Sequence, residues 1–214
     1  MNFKKSFIMK YILTSALVIV LSCIAFAQNT KIRLLDSKYY YKSSESKTFY
    51  KSLISLDSTT YYIEGNISFD NEGRTIQKLD KFKKDVDYTK IEDSDYVSMS
   101  MDPMFKEYDG IVYIQFKKIE GNKEHIKKLI ARLDEELMHN DSAVNNYLDF
   151  DKGVGIAEYF SKDFDEAFQT IFSLLEEEGM IKDVLLGKRV YMDGDDYNIE
   201  ILYPLKYEGT FWSF

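Results

Sequence analysis

The chain has 214 residues, a net charge of −8, 45% hydrophobic and 30% charged residues, two prolines and one cysteine. Its 17 Tyr, 15 Phe and one Trp supply enough apolar surface for a packed core, which excludes a disordered chain. A single cysteine excludes an internal disulfide framework, and the acidic balance argues against nucleic acid, whose phosphates call for an excess of Lys and Arg.

Residues 1–27 differ from the rest. Lys4, Lys5 and Lys10 are their only charges, and Ala16 to Leu21 is wholly apolar. A positive start, a short apolar run and small residues at the end predict a secretory signal peptide. Ala25-Phe26-Ala27 before Gln28 is an A-x-A cleavage site. The uncharged run from Tyr11 to Ala27 sits at the lower limit for a spanning helix. Within the same segment, Val20-Leu21-Ser22-Cys23 resembles a bacterial lipoprotein signal, although Leu21 is larger than usual at its position. That resemblance implies a lipid on Cys23 and the only membrane contact expected of the chain. The A-F-A-Q order is the cleaner match, so a soluble product starting at Gln28 is expected. Its removal takes three lysines and no acid from 28 basic and 36 acidic residues, leaving a net charge of −11 and no cysteine.

Residues 28–82 read as a β-hairpin-rich region. Thr59 to Ile63 is β-branched and aromatic, Ile67 and Phe69 continue it with period 2, and Asp70-Asn71-Glu72-Gly73 supplies a turn before Thr75 to Leu79. Phe69-Asp70-x-x-Gly73-Arg74 resembles one YD-type repeat of bacterial surface proteins, but a single copy implies no function. Tyr39-Tyr40-Tyr41 and Tyr61-Tyr62 are aromatic clusters suited to stacking on sugar rings. Tyr39, Tyr41, Tyr61 and Tyr62 are therefore candidate binding residues. Residues 83–109 form a charged connector whose Met99, Met101 and Met104 read as packing residues.

Residues 110–214 carry the clearest patterns. Val112, Ile114 and Phe116 alternate with polar or amphipathic neighbours, predicting a strand with one apolar face. After Gly121, Asn122 is placed to cap a helix whose Ile126, Leu129, Ile130, Leu133 and Leu137 share one side. Val154 to Phe160 is a second strand. Asp163-x-x-Glu166 starts a helix with an aromatic stripe of Phe164, Phe168 and Phe172, and Gly179 ends it. Val184 to Met192 and Tyr197 to Tyr203 are two more strands, with Pro204 closing the second. The expected fold is α+β: an antiparallel or mixed sheet with two amphipathic helices on one face, preceded by the smaller β-rich part. A further strand near Val144 to Phe150 would make the outline ferredoxin-like. Thr210 to Phe214 resembles the terminal strand of outer-membrane barrels, but two strong helices argue against a barrel. A tail docking Phe211 or Trp212 on the body is the expectation.

No nucleophile elbow, phosphate loop, dinucleotide fingerprint or zinc-protease motif occurs. His125 and His139 lie 14 residues apart on one predicted helix, about 21 Å, too far to share a ligand. Asp193, Asp195 and Asp196, followed by Asn198 and Glu200, are the best candidates for a calcium ion, although Asp-Gly is also common hairpin chemistry. The expectation is an exported bacterial envelope protein, periplasmic or extracellular, acting as a non-enzymatic binding module for an envelope protein or glycan. The alternatives are a carboxylate-dependent hydrolase and an outer-membrane lipoprotein factor anchored at Cys23.

Overall fold

The computed structural model describes residues 34–44, 46–87, 96, 107–191 and 197–212. Arg33–Phe214 forms one compact unit, in which the described residues build two five-stranded sheets and two helices. The class is α+β, with more sheet than helix. Residues 1–27, with the expected signal peptide and Cys23, lie outside the described residues.

The first sheet is a meander of β1 (Leu34–Ser43), β2 (Thr48–Leu56), β3 (Thr59–Phe69) and β4 (Thr75–Lys84). Short β10 (Gly209–Phe211), from the end of the chain, pairs antiparallel with β4 and completes the order β1-β2-β3-β4-β10. The predicted Asp70–Gly73 turn joins β3 to β4. The Asp70 carboxylate accepts the backbone N–H groups of Glu72 (2.9 Å) and Arg74 (2.8 Å), and Gly73 takes φ +76°. Near the middle, β3 bulges between Glu64 and Gly65, and the Tyr50 ring lies across Gly65. A Cβ at Gly65 would stand 2.1 Å from the Lys78 carbonyl oxygen and 2.5 Å from the Tyr50 hydroxyl, so only glycine fits there.

The second sheet contains β5 (Gly110–Phe116), β6 (Ala143–Asp151), β7 (Val154–Ser161), β8 (Val184–Tyr191) and β9 (Tyr197–Tyr203). Their order is β6-β7-β5-β8-β9, every pair antiparallel. Helix α1 (Lys123–His139) links β5 to β6, and α2 (Phe164–Glu177) links β7 to β8. The strand over Ala143–Asp151 is an edge, and its Asn- and Asp-rich sequence fits a strand with one side open. Lys152 and Gly153, at φ 49° and +81°, turn it tightly into β7.

The five periodic residues of α1 are all buried. Asn122 occupies its N-cap position but makes no side-chain cap bond, so its predicted capping role is not realised. Asp163 does cap α2, accepting the Glu166 N–H at 3.0 Å. The α2 stripe stacks Phe164, Phe168 and Phe172 at 5.8 and 6.5 Å between rings and ends against Tyr203 at 5.1 Å. Both helices bury their stripes in one core with Val112, Ile114 and Phe116 of β5 and with Tyr41, Tyr50, Ile54 and Ile63 of the first sheet. The opposite face of the second sheet carries a separate cluster of Tyr113, Ile156, Leu185, Ile199, Ile201 and Phe211. The tail docks there as expected. Trp212 donates its N–H to Gln115 Oε1 at 2.9 Å and accepts the Tyr113 hydroxyl at its carbonyl.

Candidate functional site: a buried carboxyl between the sheets

Strand β9 alternates, placing Ile199 and Ile201 in one cluster and Leu202 in the other. Glu200 therefore shares the Leu202 face, where the first sheet packs, and it is 1% exposed. Strand register sets it opposite Lys188 on β8. The first sheet closes over the pair and supplies two hydroxyl donors. Tyr41 of β1 donates to Glu200 Oε2 at 2.8 Å, and Ser52 of β2 donates to Oε1 at 2.5 Å.

Burial dominates the electrostatics. It pushes the Glu200 carboxyl up to about 7, although Ser52, Tyr41 and Lys188 all favour the ionised form. The Tyr41 hydroxyl is driven well above the usual phenol range by burial and by the neighbouring Glu200 charge. Lys188 is half-buried, with its Nζ 4.4 Å from the Tyr39 ring centroid and 4.1 Å from that of Phe164. Burial lowers it below the ordinary lysine range, against the pull of Asp109, Asp165 and Glu200.

Beside this polar knot, Gln77 of β4 reaches the backbone of β9. Its amide donates to the Ile201 carbonyl at 3.1 Å and its oxygen accepts the Ile201 N–H at 2.8 Å. Ile201 sits on the open edge of β9, so the side-chain amide takes the place of a neighbouring strand.

A second glutamate occupies the other face. Glu158 on β7 is 0% exposed and stands opposite Tyr113. Arg189 Nη1 donates to its Oε2 at 2.8 Å, and the Arg189 guanidinium lies 3.4 Å from the Tyr197 ring centroid. Burial raises the Glu158 carboxyl, with Arg189 opposing the rise.

A carboxyl near 7 lies in the range for proton transfer, but a general acid or base must also reach its substrate. Both Glu200 oxygens already accept protein hydroxyls inside the wall between the sheets. The carboxyl can bind and release a proton but presents no open oxygen to a substrate.

Of the four candidate tyrosines, Tyr39, Tyr41 and Tyr62 are buried, and Tyr61 is half-buried with its ring 5.7 Å from Phe82. Tyr39 and Tyr41 come together at Lys188 and Glu200. Tyr62 faces away from them and donates to Glu64 at 2.6 Å. Asp193, Asp195 and Asp196, the candidate calcium ligands, lie outside the described residues. Among the described residues, no group of three or more His, Cys, Asp or Glu side chains is arranged to hold an ion. No helix among them is long and apolar enough to cross a membrane. His125 and His139 are exposed at opposite ends of α1. The acidic end of α2 is paired, since Arg132 of α1 donates to Glu177 at 3.0 Å and to Glu178 at 2.5 Å.

Ser52, Lys188, Glu158 and Arg189 carry no motif, and sequence reading passes over them. One local signal points to Glu200: Leu202, two residues on, shows that its face of the strand is also apolar and therefore covered. Comparison with known proteins returned no matching family model, no matching curated protein and no matching solved structure.

Proposed function

We propose that the chain is an exported envelope protein whose folded unit is a non-enzymatic binding or interaction module for an envelope protein or glycan. The observation that carries this reading is the enclosure of Glu200. The interior group best suited to acid–base chemistry is 1% exposed, with both oxygens accepting protein hydroxyls. Such a group holds elements together and offers no open position to a substrate. The leader-like pattern of residues 1–27, ahead of a compact unit that begins at Arg33, supports export.

Within that unit, β5-α1-β6-β7-α2-β8 is read as a ferredoxin-like core extended by β9. The strand order β6-β7-β5-β8 and the helix after each of β5 and β7 support this reading. The test of the functional proposal is a panel of glycan and ester substrates offered to the purified protein. No turnover is expected. Turnover abolished by one Asp or Glu substitution would establish the hydrolase instead. Mass spectrometry of the processed amino terminus should give Gln28; a diacylglyceryl Cys23 would establish the lipoprotein.

A further inference from the structure

We propose that Glu200 is a proton-operated latch between the two sheets: the first sheet sits firmly on the second when the carboxyl is protonated and loosens when it ionises. The latch is built from separate elements. Tyr41 of β1 and Ser52 of β2 hold the carboxyl from the first sheet, and Glu200 belongs to β9 of the second. Tyr39 of β1 meets Phe164 of α2 at 6.0 Å between rings, and Gln77 of β4 grips Ile201 next to Glu200 in the chain. These contacts share one interface, so losing the carboxyl's place in it weakens the others.

The charged and titratable groups around the latch come from every element packed on it. Tyr39 and Tyr41 lie on β1, Tyr50 on β2 and Lys188 on β8. Asp109 and Asp165 act on Lys188 from the start of β5 and from α2. Lys188 is the only cation among them, and its attraction is smaller than the burial penalty on Glu200. An undocked first sheet hydrates the carboxyl, which then returns toward its ordinary value of 4.5.

The sign follows from proton binding. The docked state holds the proton more tightly, with its carboxyl raised above the undocked value. The latch's contribution is therefore full below about pH 4.5 and is lost as pH rises through about 7. The limit of this effect on the undocking equilibrium is about 300-fold, of which about 70-fold falls between pH 5 and 8.

The Ile201 amide reports the latch directly, because its N–H is bonded across the interface to Gln77. The Ile114 amide of central β5 reports opening of the second sheet itself. Hydrogen exchange of the purified protein, corrected for the intrinsic pH dependence, should show Ile201 protection falling about 70-fold from pH 5 to 8. Ile114 shares the Glu200 fall when the whole unit opens, but its protection should stay the higher of the two at every pH, because undocking costs less than global opening. In Glu200→Gln the Ile201 fall should vanish. An unchanged fall in that variant, or Ile201 protection equal to Ile114 protection throughout the range in the native protein, would overturn the proposal. Should Glu200→Gln fail to fold, carbon-13 titration of the native glutamate carboxyls decides: one titrating near 7 and displaced upward in Tyr41→Phe supports the latch, and all titrating near 4.5 refutes it.

Discussion

Glu158 and Glu200 are both fully buried on the second sheet, on opposite faces, and they are held by different chemistry. Arg189 meets Glu158 with a direct ion pair at 2.8 Å. Glu200 receives two neutral hydroxyls, and the cation opposite it, Lys188, is drawn aside over the Tyr39 and Phe164 rings. A guanidinium offsets a buried charge; hydroxyls solvate a carboxyl in either protonation state. The first arrangement fixes a charge in place, and the second leaves a proton free to come and go.

Removing the guanidinium gives the largest expected effect. Arg189→Met strands Glu158 in an apolar face and should cost about 3–5 kcal/mol by urea unfolding at neutral pH. Burial already raises the Glu158 carboxyl, so stability in this variant is present at low pH and lost as pH rises through that raised value. The cost should therefore shrink as pH falls through that raised value and be least below about 4.5, and a second change, Glu158→Gln, should recover much of it. A small, pH-independent cost would erase the contrast between the two glutamates.

On the Glu200 side the tight point is steric. Gly65→Ala drives a methyl into the Lys78 carbonyl and the Tyr50 ring, on the strand paired with β2. A loss of about 3 kcal/mol is expected, at the upper end for overpacking, because the carbonyl belongs to a paired strand and cannot swing away. Thermal or urea unfolding measures it, and full stability would mean that the bulge is looser than its contacts imply.

The smallest effect sharpens the comparison most. Ser52→Ala removes one hydroxyl from Glu200 and should cost about 1–2 kcal/mol. Losing a donor to the ionised form also raises the carboxyl further, so the pH window of instability should move upward. The midpoint of the stability–pH curve reads this shift, and a downward move would contradict the assignment of Ser52 as a donor.

The sequence makes the helices legible because a helix shows its buried side every three or four residues. Ile126 to Leu137 and Phe164 to Leu175 display that pattern, and the Asp163 cap is written beside it. Strands buried on both faces show no such contrast, which hides the division into two sheets. Within β5 all of Gly110–Phe116 is buried, so alternation there marks residue type and not exposure. Pairing between distant strands leaves no local mark at all. Nothing near Gln77 announces Ile201, 124 residues away, and nothing near Ser52 announces Glu200, 148 residues away. The tyrosine clusters were readable as strand residues, but their burial depends on which face receives the other sheet.

The placement of β10 bears on the order in which the chain can close. The first sheet is made from β1 to β4, yet its fifth strand, Gly209–Phe211, follows all five strands of the second sheet in the chain. Until those residues pair, β4 keeps an open edge and the slot taken by Phe211 stays empty. Closing the first sheet thus depends on a pairing between segments far apart in sequence, the kind of contact that forms late and slowly.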